Sequence, residues 1–246
     1  MTTTAVEPRE ITCHLIELGL IGDHIYQVRL EWPQGGAVPF HAGQYLAVHI
    51  PERDPAWFSI ASSPEAAQLT LHIQAPPELD SAVEIIDFLK LNGYAHLSLP
   101  YGEACFPAVP DEPLLLIVAG TGFAQAKSVV DFLRNQGMQH PVYLYWGVRN
   151  EDEMYLRGQA ERWDEEWPAF HFRPIICGEG DDEVNCHHEG LADAIVRDGH
   201  DLAQVQVLIS GSPVMVYRVV DTLAEQGLDT GHVLSDVFQY APREQA

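Results

Sequence analysis

A glycine-containing turn after a short apolar run is the segment of this sequence whose residue types are best suited to chemistry. Leu114–Val118 is continuously apolar, and Ala119, Gly120, Thr121 and Gly122 follow before a helical pattern begins. Glycines at such a turn let backbone amides approach a pyrophosphate closely, and the next helix adds partial positive charge. Two glycines after a strand are equally typical of a tight structural turn, and the spacing differs from the longer glycine fingerprint of ordinary dinucleotide-binding dehydrogenases.

The net charge of the chain limits which partners are expected. Thirty-six acidic residues against thirteen basic ones give a formal charge of −23, and only Lys90 and Lys127 are lysines. Such a surface repels phosphate backbones and anionic lipid, so we expect no nucleic acid and no membrane as partners. A ligand that carries phosphates must then be held by backbone amides or by local positive potential, because the overall field opposes it.

The cysteines and the apolar runs predict a soluble, cytoplasmic protein. The first ten residues lack a basic patch followed by an apolar run, and the longest apolar run, Leu114–Gly120, is too short to span a bilayer. The four cysteines show no paired spacing, which predicts a reduced chain without an iron–sulfur cluster. Cys177 and Cys186–Glu189 also lack paired ligand spacing, so we expect a surface loop there and no metal site.

The first hundred residues alternate between apolar and polar types with a period of two, which is the pattern of half-buried strands. Between the strands, a capping box at Ser81–Glu84 and the Asn92-Gly93 pair predict one helix. Six short strands separated by turn residues predict an all-β antiparallel Greek-key barrel over residues 1–109. The predicted strands are Ile11–Leu18, His24–Trp32, Gln44–Ile50, Phe58–Ala61, Gln68–Gln74 and Tyr94–Leu99.

From residue 110 onward, short apolar runs alternate with helical stretches. Continuous apolar strands separated by helices are typical of a parallel sheet covered on both faces. We therefore predict a doubly wound α/β nucleotide-binding domain over residues 110–246. The predicted strands are Leu114–Val118, Val142–Trp146, Phe170–Ile176, Val205–Ser210 and His232–Phe238. The predicted helices are Ala124–Asn135, Glu153–Glu165, Leu191–Arg197 and Pro213–Gln226, the last with Ser212 as N-cap.

Six motifs, in order along roughly residues 10–240, resemble the ferredoxin reductase superfamily and, more closely, its bacterial NAD(P)H:flavin oxidoreductases. They are Phe40–Tyr45, Phe58–Ser62, Tyr101–Ala104, Ala119–Phe123, Tyr145–Arg149 with Glu153 and Tyr155 downstream, and Gly211 with Pro213. The resemblance implies a barrel that binds flavin, an α/β domain that binds NAD(P)H, and hydride transfer between the two ligands. Hydride passes directly between stacked rings, so positioning and exclusion of water matter most and no acid–base residue is required.

On the flavin side, the resemblance implies that Ser59 is the catalytic residue. Its hydroxyl would hydrogen-bond near flavin N5, the atom that receives the hydride. A serine in an edge strand is otherwise usually a solvent-facing hydroxyl. Phe58 is typical of a core position and could also serve as a wall of the cofactor site. The expected flavin-side contacts are Phe58, Ile60, Ala61, Tyr101 and Gly102.

On the nicotinamide side, the resemblance implies that the glycine turn meets the pyrophosphate and the nicotinamide ribose. Arg149 could touch the adenosine end, although a lone arginine is more often a surface ion-pair partner. Asp236 is a plausible neighbour of the nicotinamide and is equally typical of a turn at a strand end. Without a basic cluster, NADH is weakly favoured over NADPH. The expected contacts are Gly120, Thr121, Gly122, Phe123, Arg149, Gly211, Pro213, Asp236 and Phe238.

The chain departs from the family pattern where a flavin phosphate would be held. Ala56 stands where the family has an arginine that grips this phosphate, and Arg53 lies three residues earlier. Glu78–Ser81 replaces the Gly-x-x-Ser/Thr loop that cradles the flavin pyrophosphate, and Ser210 replaces a frequent cysteine. A desolvated arginine–phosphate pair is worth a few kcal/mol, so retention of flavin should be weakened by orders of magnitude.

The sequence therefore predicts a flavin reductase that transfers a hydride from NADH or NADPH to a weakly held, diffusible flavin. FMN, FAD and riboflavin are all candidates, since the ring would carry most of the recognition. A flavin-dependent monooxygenase is a candidate partner that would consume the reduced flavin. One alternative is a reductase component that holds FAD tightly and passes electrons to a partner oxygenase. Another is a degenerate, non-catalytic member that binds a nucleotide or a partner without turnover.

Overall fold

The first part of the structure is a closed antiparallel barrel. The computed structural model describes residues 7–176 and 186–243, with only the backbone for residues 186–189. The barrel strands are β1 (Arg9–Gly22), β2 (Ile25–Glu31), β3 (Tyr45–His49), β4 (Ala56–Ser59), β5 (Gln68–Gln74) and β6 (Tyr94–Tyr101). Their order is β4-β3-β6-β1-β2-β5, and pairing of Ile60 with Leu71 closes the sheet between β4 and β5. The predicted Greek-key barrel is confirmed.

Alternation along the strands explains the core of the barrel. Val28 and Leu30 on β2 and Leu69, Leu71 and Ile73 on β5 are buried in the barrel core. Each such side chain removed from water stabilises the barrel by about 1.5–3 kcal/mol. Of the polar residues between them, Arg29 and Thr70 are half-buried, and His72 is buried without belonging to this core. The barrel therefore presents an outer surface that other elements can use.

One helix, α1 (Asp80–Asn92), covers the barrel core as predicted, but its start differs from the prediction. Leu79 is the N-cap residue and makes no side-chain capping bond, so the Ser81–Glu84 capping box is wrong. The helix begins one residue earlier than Ser81, which places the serine inside the first turn. Its end at Asn92 is confirmed, since Gly93 takes a left-handed conformation with φ 70°.

A parallel sheet forms the second part, as predicted. Its strands are β7 (Leu114–Ala119), β8 (Val142–Val148), β9 (Phe170–Ile176), β10 (Gln206–Ser210) and β11 (Val233–Leu234), in the order β11-β10-β7-β8-β9. The helices are α2 (Phe123–Asn135), α3 (Arg157–Glu166), α4 (Cys186–Asp198), α5 (Pro213–Glu225) and α6 (Val237–Tyr240). Helices α2 and α3 cover one face and α4 and α5 the other, each over its own apolar core. The predicted boundary near residue 110 falls in the connection between β6 and β7 and stays a prediction.

Three local predictions in this part are wrong. The helix predicted from Glu153 begins at Arg157, because Asn150 accepts a hydrogen bond from the Glu153 backbone and caps a separate 3-10 turn. The strand predicted over His232–Phe238 is two residues long, because the chain turns at Asp236 into α6. The backbone of Cys186–Glu189 is helical rather than a loop, whereas Cys177 lies outside the described residues.

The helices of the described residues are not of the kind that spans a membrane. Across residues 7–176 and 186–243, every helix is too short or too polar to cross a bilayer.

Tyr155 joins the barrel to the α/β part of the structure. Its hydroxyl shares a 3.0 Å hydrogen bond with Nδ1 of His72 on β5, and its ring packs edge-on against Phe123 and Trp146. Gly22 of the barrel faces it so closely that a Cβ would lie 2.6 Å from the Tyr155 Cβ. Burial next to Lys127 lowers the pKa of His72 to about 3, so this histidine is neutral in the interface.

The neutral state of His72 predicts a loss of stability in acid. The unfolded chain binds a proton at His72 below about pH 6.5 and the folded chain does not, so the free energy of unfolding falls as pH drops below that value. Between pH 7 and pH 5 the loss from this residue is about 2 kcal/mol. Urea unfolding should show a shallower pH dependence in His72→Gln. The exposed control His14→Gln should keep the wild-type slope, and equal slopes in all three proteins would contradict this account.

Candidate active site

The glycine turn is packed tightly against the neighbouring strand. Residues 120–122 form one 3-10 turn between β7 and α2, and Trp146 Nε1 donates a 3.0 Å hydrogen bond to the Gly120 carbonyl. A Cβ on Gly122 would lie 2.5 Å from the Ser210 carbonyl oxygen of β10, so only glycine fits there. Phe123 is buried and stacks on Trp146, with ring centroids 3.9 Å apart. Phe123 therefore anchors the turn, Gly122 allows close packing against β10, and the space next to Gly120 is open.

A cavity of about 630 Å³ lies where the barrel meets the α/β part. It is next to the glycine turn, because Ser210 lines the cavity and contacts Gly122. Asp236 is the one charged side chain in the lining that the described residues provide, and neither lysine nor arginine occurs there. The lining residues are Tyr45, Trp57, Phe58, Ser59, Gln125, Ile209, Ser210, Gly211, Ser235, Asp236, Val237 and Tyr240.

Strand β4 supplies the barrel wall of the cavity. Ser59 pairs with Tyr45 on the adjacent strand β3, and both side chains line the cavity. Phe58 pairs with the buried Leu46, packs against the barrel core and also lines the cavity. Phe58 therefore belongs to both the barrel core and the cavity lining, and its contact with a cofactor stays a prediction.

Two predicted flavin contacts are core residues of the barrel. Ile60 and Ala61 are completely buried, and neither belongs to the cavity lining. The Ala61 backbone donates to the Thr70 carbonyl at 2.8 Å and accepts from Lys127 Nζ at 3.3 Å. They hold β4 against β5 and α2, and their contact with a ligand stays a prediction.

Tyr101 and Gly102 lie behind the cavity wall. Tyr101 stacks on Tyr45 with ring centroids 6.0 Å apart, and its own ring is not part of the lining. Gly102 has φ +94°, and a Cβ there would lie 2.7 Å from the Tyr45 ring and 2.9 Å from Asp236 Oδ1. Glycine at this position lets Tyr45 and Asp236 approach each other across the cavity wall.

The buried amide of Gln125 holds Asp236 in place. Gln125 Nε2 donates its two hydrogens to the Gly43 carbonyl at 2.7 Å and to Asp236 Oδ2 at 2.9 Å, and the Ala104 carbonyl shares the same amide at 3.3 Å. Burial raises the pKa of Asp236 to about 6, although hydrogen bonds from Gln125 and from the Ala104 backbone oppose the shift. The carboxyl group therefore titrates close to neutral pH inside the cavity.

The remaining predicted residues are divided between the cavity and its surroundings. Gly211 lines the cavity, whereas Pro213 opens α5 behind the Ser212 N-cap. Arg149 is exposed and pairs with Glu153 at 2.8 Å. Phe238 packs against Tyr217. Thr121 is half-buried between the glycines of the turn. The roles predicted for these residues stay predictions.

Sequence reasoning missed several cavity residues, above all Trp57, Gln125 and Tyr240. Gln125 is a polar residue on the buried face of α2, where only Ser128 is also polar, and that position was a usable signal. Trp57 lies two positions from Ser59 and so shares its side of the strand. No pattern in the neighbouring sequence indicates that Tyr240 lines the cavity, because its position depends on the turn at Asp236.

The geometry defines a class of protein in which an antiparallel barrel and a doubly wound α/β part share one cavity. Residues 116–221 match the model of the oxidoreductase NAD-binding domain. The structure is similar to that of the Amycolatopsis cytochrome P450 reductase GcoB, with a TM-score of 0.80, 23% identity, and coverage of 95% of this chain and 71% of the other.

Two similar proteins identify the family to which the chain belongs. The NAD(P)H-flavin reductase of Vibrio harveyi is 31% identical over 211 residues, which cover 82% of this chain and 86% of that protein. Terephthalate 1,2-dioxygenase reductase component 2 of Comamonas sp. is 30% identical over 235 residues, or 95% of this chain and 70% of that protein. The chain belongs to the NAD(P)H-flavin reductase family and is an oxidoreductase. The resemblance to the bacterial NAD(P)H:flavin oxidoreductases that was drawn from the motifs is confirmed.

Proposed function

We propose that the chain is an NAD(P)H:flavin oxidoreductase whose flavin is a diffusible substrate. The observation that carries the proposal is the shared cavity, which is lined by Ser59 of the barrel and Gly211 of the α/β part and adjoins the glycine turn through Ser210. Its volume of about 630 Å³ lies in the range of small-molecule sites. The glycine turn would hold the nicotinamide nucleotide, and β4 would hold the flavin ring.

The absence of positive charge at the flavin end supports a weakly held flavin. Ala56 is too short to reach a phosphate, and Arg53 forms an ion pair with Glu84 of α1. The cavity lining in the described part of the chain holds no basic residue. FMN, FAD and riboflavin would then be bound chiefly through the ring that they share.

The side chains in the cavity suit hydride transfer from NAD(P)H to the flavin. When both substrates are bound, the hydride moves from nicotinamide C4 to flavin N5, and a proton from solvent completes the reduced flavin. The Ser59 hydroxyl would donate a hydrogen bond near N5. Ionised Asp236 would stabilise the positive charge that develops on the nicotinamide as the hydride leaves, because opposite charges attract strongly where water is excluded.

The nicotinamide preference and the setting of the reaction are part of the same proposal. Arg149 is occupied by Glu153, which favours NADH over NADPH. The four cysteines are not clustered, which favours a path that ends at flavin rather than at an iron–sulfur cluster. We place the reaction in the cytoplasm, with a flavin-dependent monooxygenase as the consumer of the reduced flavin.

A second candidate function is a reductase component that passes electrons to an oxygenase. It is favoured by the relationship to the terephthalate 1,2-dioxygenase reductase component, of which this chain spans 70%. This alternative requires tightly held FAD, and the missing phosphate partners weigh against it. The content of bound flavin after gel filtration separates the two functions.

Turnover with added flavin tests the proposal. Gel-filtered protein should oxidise NADH only when riboflavin, FMN or FAD is added, and the rate should saturate with each. Riboflavin should serve nearly as well as FMN, because the phosphate has no partner. Protein that is yellow with stoichiometric FAD, or that oxidises no NADH with any of the three flavins, would contradict it.

Ser59→Ala should reduce turnover. Loss of one hydrogen bond near N5 removes about 1–3 kcal/mol, so kcat/KM should fall about tenfold to a hundredfold. Steady-state kinetics with riboflavin measures the change. Ser63→Ala is the matched control, since this buried serine of the neighbouring loop lies outside the cavity lining. An unchanged kcat/KM in Ser59→Ala would remove the role assigned to this hydroxyl.

Asp236 should impose a pH dependence. Because burial raises its pKa to about 6, the carboxylate forms as pH rises through 6, and kcat should rise over the same range. Asp236→Asn should be slower above pH 6 and should show a flat profile between pH 5 and pH 7. The control Asp229→Asn alters a surface turn and should keep the wild-type profile. A wild-type kcat that falls with pH would mean that the protonated carboxyl is the active form.

A further inference from the structure

Trp57 is an exposed aromatic side chain at the wall of the cavity. Its exposed fraction is 54%, although indole is among the most costly surfaces to leave in water. It lines the cavity together with Ser59, which lies two residues further along β4 and on the same side of the strand. An exposed indole beside the hydroxyl that would hydrogen-bond to the flavin calls for an explanation in terms of a ligand.

The orientation of the Trp57 ring is set by its neighbours on β3 and β6. Tyr45 and Tyr101 stack on each other, and the indole stands nearly perpendicular to both, at 81° and 86°. The centroid distances are 5.7 Å to Tyr45 and 5.0 Å to Tyr101, which are favourable for edge-to-face contacts. The residue opposite Trp57 on β3 is Ala47, which is too small to cover the ring. The indole is therefore preorganised and still leaves surface free.

The chemistry of the cavity indicates what this surface binds. The lining in the described residues has no cation and so offers no charged partner to a phosphate, whereas an indole offers a polarisable surface to a flat ring. Arg53, the nearest arginine along the chain, is held by Glu84. Binding energy for a flat heterocycle must then come mainly from stacking.

We propose that Trp57 is the specificity-determining residue for flavin, with its indole as the stacking surface for the isoalloxazine ring. This inference rests on the proposed function. It assigns to one side chain the affinity that a phosphate-binding arginine would otherwise supply. Because riboflavin, FMN and FAD share the isoalloxazine ring, Trp57 makes the enzyme recognise all three by the same contact.

Substitution of Trp57 separates stacking from a structural role. Trp57→Ala should raise KM for riboflavin, FMN and FAD alike by about tenfold or more, since aromatic stacking on a base is worth about 1–3 kcal/mol. Its kcat should change by less than about twofold, because the hydride donor and Ser59 are untouched. Trp57→Phe keeps a flat ring and should recover most of the affinity. Trp167→Phe, at the far end of α3, is the control and should behave as wild type.

A binding titration keeps this test independent of turnover. Quenching of riboflavin fluorescence by the protein, without NADH, should saturate in wild type and in Trp167→Phe and should weaken about tenfold in Trp57→Ala. Unchanged affinity in Trp57→Ala, a loss confined to FAD, or a loss that Trp57→Phe does not recover would overturn the proposal. Binding that follows the predicted order in protein that never oxidises NADH would overturn the proposed function and leave the stacking role standing.

Discussion

One buried amide holds the cavity together. Gln125 Nε2 reaches the Gly43 and Ala104 carbonyls of the barrel side and the Asp236 carboxyl group of the C-terminal segment. Buried polar groups are expensive to leave unpaired, so these three elements must keep their relative positions. The barrel wall with Ser59 and the α/β wall with Gly211 face each other across a cavity that depends on this contact.

The same contact brings an acidic group into a cavity that would bind anionic nucleotides. The chain carries a formal charge of −23, and the cavity lining of the described residues adds a carboxyl group and no cation. Raising the pKa of Asp236 to about 6 keeps this carboxyl near the balance between its neutral and ionised forms. Backbone amides at the glycine turn and an exposed indole on β4 are the attractive groups that remain. Recognition through amides and aromatic surface follows from the lack of positive charge.

Much of the fold could be predicted from local patterns. The period-two alternation of Gln68–Gln74 and the apolar run Leu114–Val118 each became the expected strand, because each pattern matches the burial that its sheet imposes. The Ser81 capping box failed, since a capping pattern competes with neighbouring residues for the helix start. The final strand failed because the turn at Asp236 depends on Gln125, which is 111 residues away in the chain.

The candidate site also combines residues that local sequence predicts with residues that only the tertiary structure brings together. Ser59, Phe58, Gly211 and Asp236 were predicted and lie together in the cavity lining. The aromatic group of Tyr45, Trp57 and Tyr101 was not predicted as a unit, because it joins three strands whose pairing is not visible in local sequence. The pairing of Arg53 with Glu84 is likewise a long-range contact. Residue types that carry chemistry can be found locally, whereas the groups that tune them come from the tertiary structure.

The central claim is that flavin is held by its ring and not by its phosphate. Equilibrium dialysis of riboflavin and FMN against the gel-filtered protein, at low and at high salt, tests it most directly. The account predicts that FMN binds no more tightly than riboflavin at low salt, and that salt brings the two affinities together by screening the acidic surface. FMN affinity about tenfold or more above that of riboflavin, weakened by salt, would show a phosphate site and contradict the claim.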